Sequence, residues 1–218
     1  MDIGDEINAI QRETGQGRIK EQDVRTITLR RSYDAPIEDV WDAITDPKRV
    51  NRWFLPVTGD FRLGGTYQIE NNAGGEIVAC EPPERLKVTW VLGEPSEADL
   101  SEVEVRLSPG TDGQTLFELC HTAVVDPGFW SMYGPGAVGV GWDLTLLGLG
   151  LHLGGGEIDK AEREAFEQSP EARDFMTRSS RAWGAAYEAS GADSAEVATV
   201  VENTTKFYAP DQDAPSQS

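Results

Sequence analysis

Cysteine and histidine are scarce, with two of each in 218 residues. Cys80 and Cys120 are too few for a disulfide framework and lack metal-ligand spacing, so a reducing, cytoplasmic setting is expected, with no metal site. Neither thiol has a base or cation beside it in sequence, and both are expected to be buried and inert. Basic residues are outnumbered two to one, 19 Lys and Arg against 38 Asp and Glu. The formal charge of −19 argues against nucleic acid as a partner and against anionic membrane surfaces. That charge is spread, with −3 over residues 1–23, −9 over 24–156 and −7 over 157–218. A solvated acidic surface explains it. The sequence also lacks a signal-peptide pattern, an internal repeat, a Gly-x-Gly-x-x-Gly or Walker context, a Ser/His/Asp elbow and a His-Glu-x-x-His pair. No cofactor is expected.

What is present is one long apolar run, Ala137 to Leu153, with Asp143 as its only firm charge. A membrane span needs about twenty apolar residues without four glycines and an acid among them. A strand would be shorter, and leucines at 144, 147 and 151 and at 146, 149 and 153 recur at helical spacing. The run reads as a helix buried on most of its circumference, which requires a concave surface to cover it. Gly139, Gly141, Gly148 and Gly150 weaken such a helix by roughly 1 kcal/mol each relative to Ala. Close approach of another backbone, or space for a ligand, would be the compensating gain.

Residues 1–23 are polar, with only Ile3, Ile7 and Ile10 at helical spacing, and a short or frayed element is expected there. Ile27 and Leu29 alternate with polar neighbours in a half-buried strand ending at Asp34. Asp34 or Ala35 then caps a helix with Pro36 in its first turn and Ile37, Val40, Trp41 and Ile44 as its stripe. Asp46-Pro47 opens a second short helix through Trp53. Short strands follow at 66–71, 76–81, 86–92, 102–107 and 115–121, separated by Gly- and Pro-rich turns. Leu86, Val88, Trp90 and Leu92 are expected on one face, as are Val103, Val105 and Leu107, and Phe117, Leu119 and His121. These strands form one antiparallel meander, whose apolar side the helix from Ala137 covers. After Gly156 come three helices, at 159–168, from Ser169 onward and at 194–208, and then a disordered tail, 209–218.

The stretches RSYDAPIEDVWDAITDPKRVNRWF, FRLGGTYQIE, PPERLKVTW and TLFELCHT, followed by a long helix opening with Gly141-Trp142, resemble the SRPBCC superfamily. Within it the chain is similar to homologues of the heat-shock protein 90 ATPase activator, over about residues 24–153. The resemblance implies an α+β helix-grip fold of the START and Bet v 1-like kind. In that fold a curved antiparallel sheet wraps a long C-terminal helix, with two short helices after the first strand and here extra C-terminal helices. The expected division is an N-terminal extension (1–23), the helix-grip domain (24–156) and a helical extension (157–208). The resemblance further implies a cavity between sheet and long helix that takes a small hydrophobic molecule such as a lipid, in a stress-related protein. Its alternatives are a polyketide cyclase or aromatase-like enzyme, and a chaperone-interacting protein or homodimer. Fold alone does not choose among these.

The pocket-wall candidates are the aromatics Trp53, Phe54, Tyr67, Trp90, Phe117, Trp130, Tyr133 and Trp142, together with His121 and Leu146. Each alone is more often plain core. His121 could serve as a general base on the cavity face, although a histidine there more commonly bonds within the sheet. Asp143 would either sit in the first exposed helical turn, which is the preferred placement, or face the cavity opposite a polar group. His152, near a helix C-terminus, reads as structural. The last helices, with Phe175, Met176 and Trp183 on their apolar face, are expected to pack back on the domain, with docking or dimerisation as the alternative.

Overall fold

The computed structural model describes residues 3–93, 100–156 and 160–210. Its sheet has eight antiparallel strands: β1 (Gln11–Ile19), β2 (Gln22–Tyr33), β3 (Val57–Gly59), β4 (Thr66–Ile69), β5 (Gly74–Glu81), β6 (Arg85–Thr89), β7 (Ser101–Pro109) and β8 (Thr115–Ala123). They lie in the order β1-β2-β8-β7-β6-β5-β4-β3. The sequence is thus a meander from β3 to β8, with the β1–β2 hairpin paired onto β8 through β2. Alternation fixes the register: Val103, Val105 and Leu107 of β7 stand opposite His121, Leu119 and Phe117 of β8, all on the inner face. The outer face carries cross-strand ion pairs, among them Lys87–Glu102 at 2.7 Å and Arg85–Glu104 at 3.1 Å. This is the polar side the alternation requires.

Helices α2 (Ile37–Thr45) and α3 (Pro47–Trp53) follow β2 as a tight pair. Asp46 caps α3, its carboxylate accepting from the Lys48 N–H. Neither Asp34 nor Ala35 caps α2; that position is held by Pro36, with no side-chain bond, because the chain is still extended there. The long helix α5 (Gly136–Leu153) lies in the concavity, introduced by the short α4 (Pro127–Tyr133). By length and apolarity α5 could cross a membrane, yet eight of its residues, Asp143 included, are buried inside the protein. Its two sides have different partners. Trp142, Leu146 and Leu149 face the sheet's main concavity, whereas Gly139, Asp143 and Leu147 face α7 (Pro170–Ala189) and the N-terminal segment.

α7, capped by Ser169 as expected, packs against α5 and β1 with Phe175 and Trp183 fully buried. α8 (Ser194–Tyr208) runs back over α4, where Asn203 and Thr204 donate to the Met132 and Tyr133 carbonyls and Tyr208 donates to that of Ala137. A shorter helix, α6 (Lys160–Glu167), precedes α7. The predicted start of α6 at Asp159, and nearly all of the tail predicted over 209–218, fall outside the described residues.

Four expectations are corrected. Residues 1–23 are not frayed: Ile3–Asn8 form α1, whose Ile7 packs with Leu147 and Phe175, and β1 runs its whole length along β2. β1 is an edge strand of mostly exposed polar residues, so no apolar alternation announces it. Leu92 is 72% exposed, since β6 ends at Thr89 and the chain turns outward beyond Val91. Of the two gains expected at Gly148 it is the ligand space that is corrected: a Cβ there would stand 3.1 Å from the Trp53 carbonyl oxygen, so the close approach of another backbone holds. Neither cysteine is buried: Cys80 is exposed and Cys120 half-buried.

Candidate functional site

Between α5, the α2–α3 pair and the inner faces of β4 to β8 lies a cavity of about 200 Å³. Its sheet wall follows from the two-residue period: Ile77, Leu86, Val88, Val103, Val105, Phe117 and Leu119 all point inward. The helix wall comes from the 3.6-residue period that puts Trp142, Thr145, Leu146 and Leu149 on one stripe of α5. Ile44, Val50, Trp53 and Phe54 close one end from α2 and α3, and the loop after β3 contributes Phe61 and Arg62. Trp90 and Trp142 meet at 4.9 Å between ring centroids, and Tyr67 adjoins Trp90 at 6.4 Å.

Polar atoms on these walls are few and largely committed. The Tyr67 hydroxyl donates to the Thr89 carbonyl at 2.7 Å, and burial pushes its ionisation up. Trp53 Nε1 donates to the Ala43 carbonyl, and the Thr145 hydroxyl to that of Gly141. Among the described residues that line the cavity none is a carboxylate or an imidazole, and Arg62 alone is charged. Such walls offer shape, apolar contact and aromatic faces.

Of the ten wall candidates, Trp53, Phe54, Tyr67, Trp90, Phe117, Trp142 and Leu146 are brought together here. Three are not. Trp130 packs edge-on against Tyr187, donates Nε1 to the Tyr187 hydroxyl and lies under the Arg25 guanidinium. Tyr133 stands among Phe129 and Phe207 at the surface. Both belong to α4, which reaches α8 rather than the cavity mouth.

His121 is the third. It sits behind the wall, beside a second hollow of about 40 Å³. Trp142 Nε1 donates to its Nδ1 at 3.1 Å, and the Ser101 hydroxyl lies 2.9 Å from its Nε2. An indole N–H can only donate, so Nδ1 is the acceptor and the imidazole proton rests on Nε2, where it is given to Ser101. Burial lowers the His121 pKa to about 4. The ring is therefore a neutral fixture that orients the Trp142 wall, and it does not reach the cavity as a general base would have to.

Asp143 occupies neither position expected of it. It is fully buried on the far side of α5, where Arg12 Nε approaches both carboxylate oxygens at 3.0 and 3.2 Å. The Ser179 hydroxyl and, at 3.2 Å, Trp183 Nε1 donate to the same carboxylate. Arg12 Nη1 is held by the Ile7 and Ile10 carbonyls. Burial pushes the carboxyl up, opposed by Arg12 and the two donors. This cluster fastens β1, α5 and α7 together. His152 lies against Arg49, which also pairs with Asp39 at 2.7 Å.

The inward aliphatic residues carry no aromatic signal, although alternation along β6 and β7 marks them. Nothing in the sequence singles out Arg62 or Arg12.

The family model described as activator of Hsp90 ATPase homolog 1-like protein matches residues 34–154. The crystal structure of CalU16 from Micromonospora echinospora is 36% identical, with a TM-score of 0.64 over 83% of this chain and 99% of that one. Its solution structure gives 39%, 0.66, 83% and 96%. That coverage exceeds residues 34–154, so the likeness takes in elements outside the helix grip. The Aha1 dimer from Colwellia psychrerythraea, 18% identical with a TM-score of 0.50 over 59% of this chain and 95% of that one, shares the fold alone. No curated protein matches the chain.

Proposed function

From the premise that this chain belongs to the activator of Hsp90 ATPase homolog 1-like protein family, we propose that it is a cytoplasmic binding protein that holds one small apolar molecule between sheet and α5. The observation that carries this reading is the unfilled space of about 200 Å³ behind walls of almost purely apolar side chains. Protein interiors are close-packed, and a gap of this size forfeits dispersion contacts that an occupant would restore. The volume is below the roughly 300–1,000 Å³ of drug-sized sites and somewhat above the roughly 150 Å³ that accepts benzene in an engineered core. One aromatic ring or a short alkyl chain is the fitting size, and a sterol is too large.

Binding is favoured over a cyclase-like reaction because the nearest imidazole, His121, is turned away with both nitrogens engaged. Calorimetric titration with 4-phenylbutan-1-ol is the test, using the wild type and Val105→Phe, which fills the space from the sheet side. Saturable binding by the wild type, lost in a folded variant, is the expected result. No binding by the wild type, or equal binding by both, would sink the reading.

A second reading, assembly with another copy or a chaperone, has one supporting observation: Phe129, Met132 and Phe207 stand 46%, 51% and 64% exposed. Equilibrium sedimentation over a range of concentrations separates the two, a monomer throughout counting against self-assembly.

A further inference from the structure

Among the described residues that line the cavity one is charged, and the loop that carries it is rigidly built. Between β3 and β4 the Asp60 N–H donates to the Thr66 carbonyl, the Arg62 N–H to that of Asp60 and the Gly65 N–H to that of Arg62, each at 2.8 Å. Two further bonds tie the loop to β5: Gly64 N–H to the Ile77 carbonyl at 2.8 Å, and Ile77 N–H to that of Gly65 at 2.9 Å. Gly64 has φ +76°, and a Cβ at residue 65 would fall 2.0 Å from the Asp60 carbonyl oxygen. The two glycines are therefore required for this conformation, which fixes the backbone of Arg62 at the cavity lip.

The Arg62 side chain is 73% exposed and touches both solvent and the cavity. Its Nε donates to the Asp60 carboxylate at 2.6 Å. A guanidinium has five N–H donors in a planar fork, so this bond leaves the Nη pair for a second acceptor. Behind it the walls are almost wholly apolar, and their few polar atoms are largely committed. An apolar body with a polar end at the lip matches that layout, and the end that matches a guanidinium is an anion. The overall charge of −19 disfavours anions at a distance, but a contact charge outweighs a field screened beyond about 10 Å.

We propose that Arg62 makes this site selective for small amphiphiles with an anionic end, monocarboxylates with an apolar body about the size of one aromatic ring. The proposal rests on the cavity reading above and adds the ligand's chemical class. Asp60 is its counterweight: it holds the fork in place and competes for it.

The test compares three probes with one apolar body: 4-phenylbutyrate, 4-phenylbutan-1-ol and 4-phenylbutylamine, titrated calorimetrically at neutral pH. The expected order is anion, then alcohol, then amine. The anion should bind tighter than the alcohol by up to about five-fold, the upper end for an ion pair this exposed. Arg62→Gln should bring anion and alcohol to equal affinity, and Asp60→Asn should raise anion affinity about two-fold. Both positions are on an exposed loop, and saturable alcohol binding by each variant reports that the cavity is intact. Equal binding of anion and alcohol, or an anion advantage that survives Arg62→Gln, would overturn the Arg62 proposal while leaving the cavity reading in place. Failure of all three probes would instead overturn the cavity reading, and this proposal with it.

Discussion

The indole of Trp183 occupies the space that any side chain at Gly139 would need: a Cβ built on Gly139 would lie 2.2 Å from Trp183 Cε2 and 2.4 Å from Nε1. Trp183 is completely buried, and its Nε1 is bonded to Asp143, one helical turn from Gly139. The indole cannot withdraw without breaking that bond.

Two glycines of α5 therefore respond oppositely to alanine. Gly139→Ala gains about 1 kcal/mol in helix propensity but overpacks a closed contact, at a cost of about 1–3 kcal/mol and the Asp143 bond besides. Net destabilisation is expected. At Gly141 the nearest atom to a Cβ is the Tyr208 hydroxyl at 3.5 Å. Gly141→Ala should stabilise by up to about 1 kcal/mol. Urea denaturation of both variants decides it, and stabilisation of both would contradict the described packing of α7.

Removing the cation from the buried cluster should be severe. Arg12→Met leaves the Asp143 carboxyl buried without its cation, with an expected cost of about 3–5 kcal/mol at neutral pH. Arg12→Met with Asp143→Leu should recover most of it, since the uncompensated charge is then gone. The single variant should also gain a pH signature. Without Arg12 the carboxyl is raised further above its unfolded value, so the folded state binds the proton more tightly. Its stability is then greatest in acid and falls as pH rises through the raised value. The slope is read as the difference between Arg12→Met and the wild type, in which the His121 contribution cancels, and a difference that stays flat between pH 4 and 7 would refute the assignment.

The His121 imidazole predicts the opposite slope for the wild type. Its folded pKa of about 4 lies below the ordinary 6.5. The contribution is complete above pH 6.5 and is lost as pH falls toward 4, a span of about 3 kcal/mol. His121→Gln, whose amide oxygen can still accept from Trp142, does not titrate. The stability difference between wild type and variant should therefore shift in the variant's favour by that amount from pH 7 to 4, as read from urea midpoints. An unchanged difference would show that the ring already accepts a proton in the folded protein.

A chain ending at Gly156 should not behave as an autonomous domain. It would expose the Gly139, Asp143 and Leu147 side of α5 and withdraw two of the hydrogen bonds to a charged carboxylate. Loss of a cooperative thermal transition by circular dichroism is expected, and a transition matching that of the full chain would contradict the role given to α7.

The parts of this fold that repeat with a period were legible from sequence. β7 and β8 alternate cleanly, α2 shows its stripe, and Asp46-Pro47 and Ser169-Pro170 mark helix starts that the structure contains. The wall aromatics Trp53, Tyr67, Phe117 and Trp142, on α3, β4, β8 and α5, were legible for the same reason. β1 was not, because an edge strand facing solvent needs no apolar alternation. Trp130 and Tyr133 misled because aromatic character does not encode direction, and α7 and α8 supplied them with other partners, Tyr187 and Phe207. Asp143 carried half of a message: a buried acid requires a cation, but local pattern cannot choose Arg12 among nineteen Lys and Arg residues.

The Arg12–Asp143 pair joins residues 131 apart, and Ser179 of α7, a further 36 along, completes the cluster. Folding order follows from those separations. Loops this long close late, because their entropy cost precedes any contact that offsets it. On a ribosome adding about 5–20 residues per second, the meander can pair while α7, which packs on the β1–β2 hairpin, is still unsynthesised. The hairpin with the least apolar surface must then wait for the last third of the chain. Slow protection of the β1 amides after dilution from denaturant, later than that of β7 and β8, is the kinetic trace this arrangement should leave.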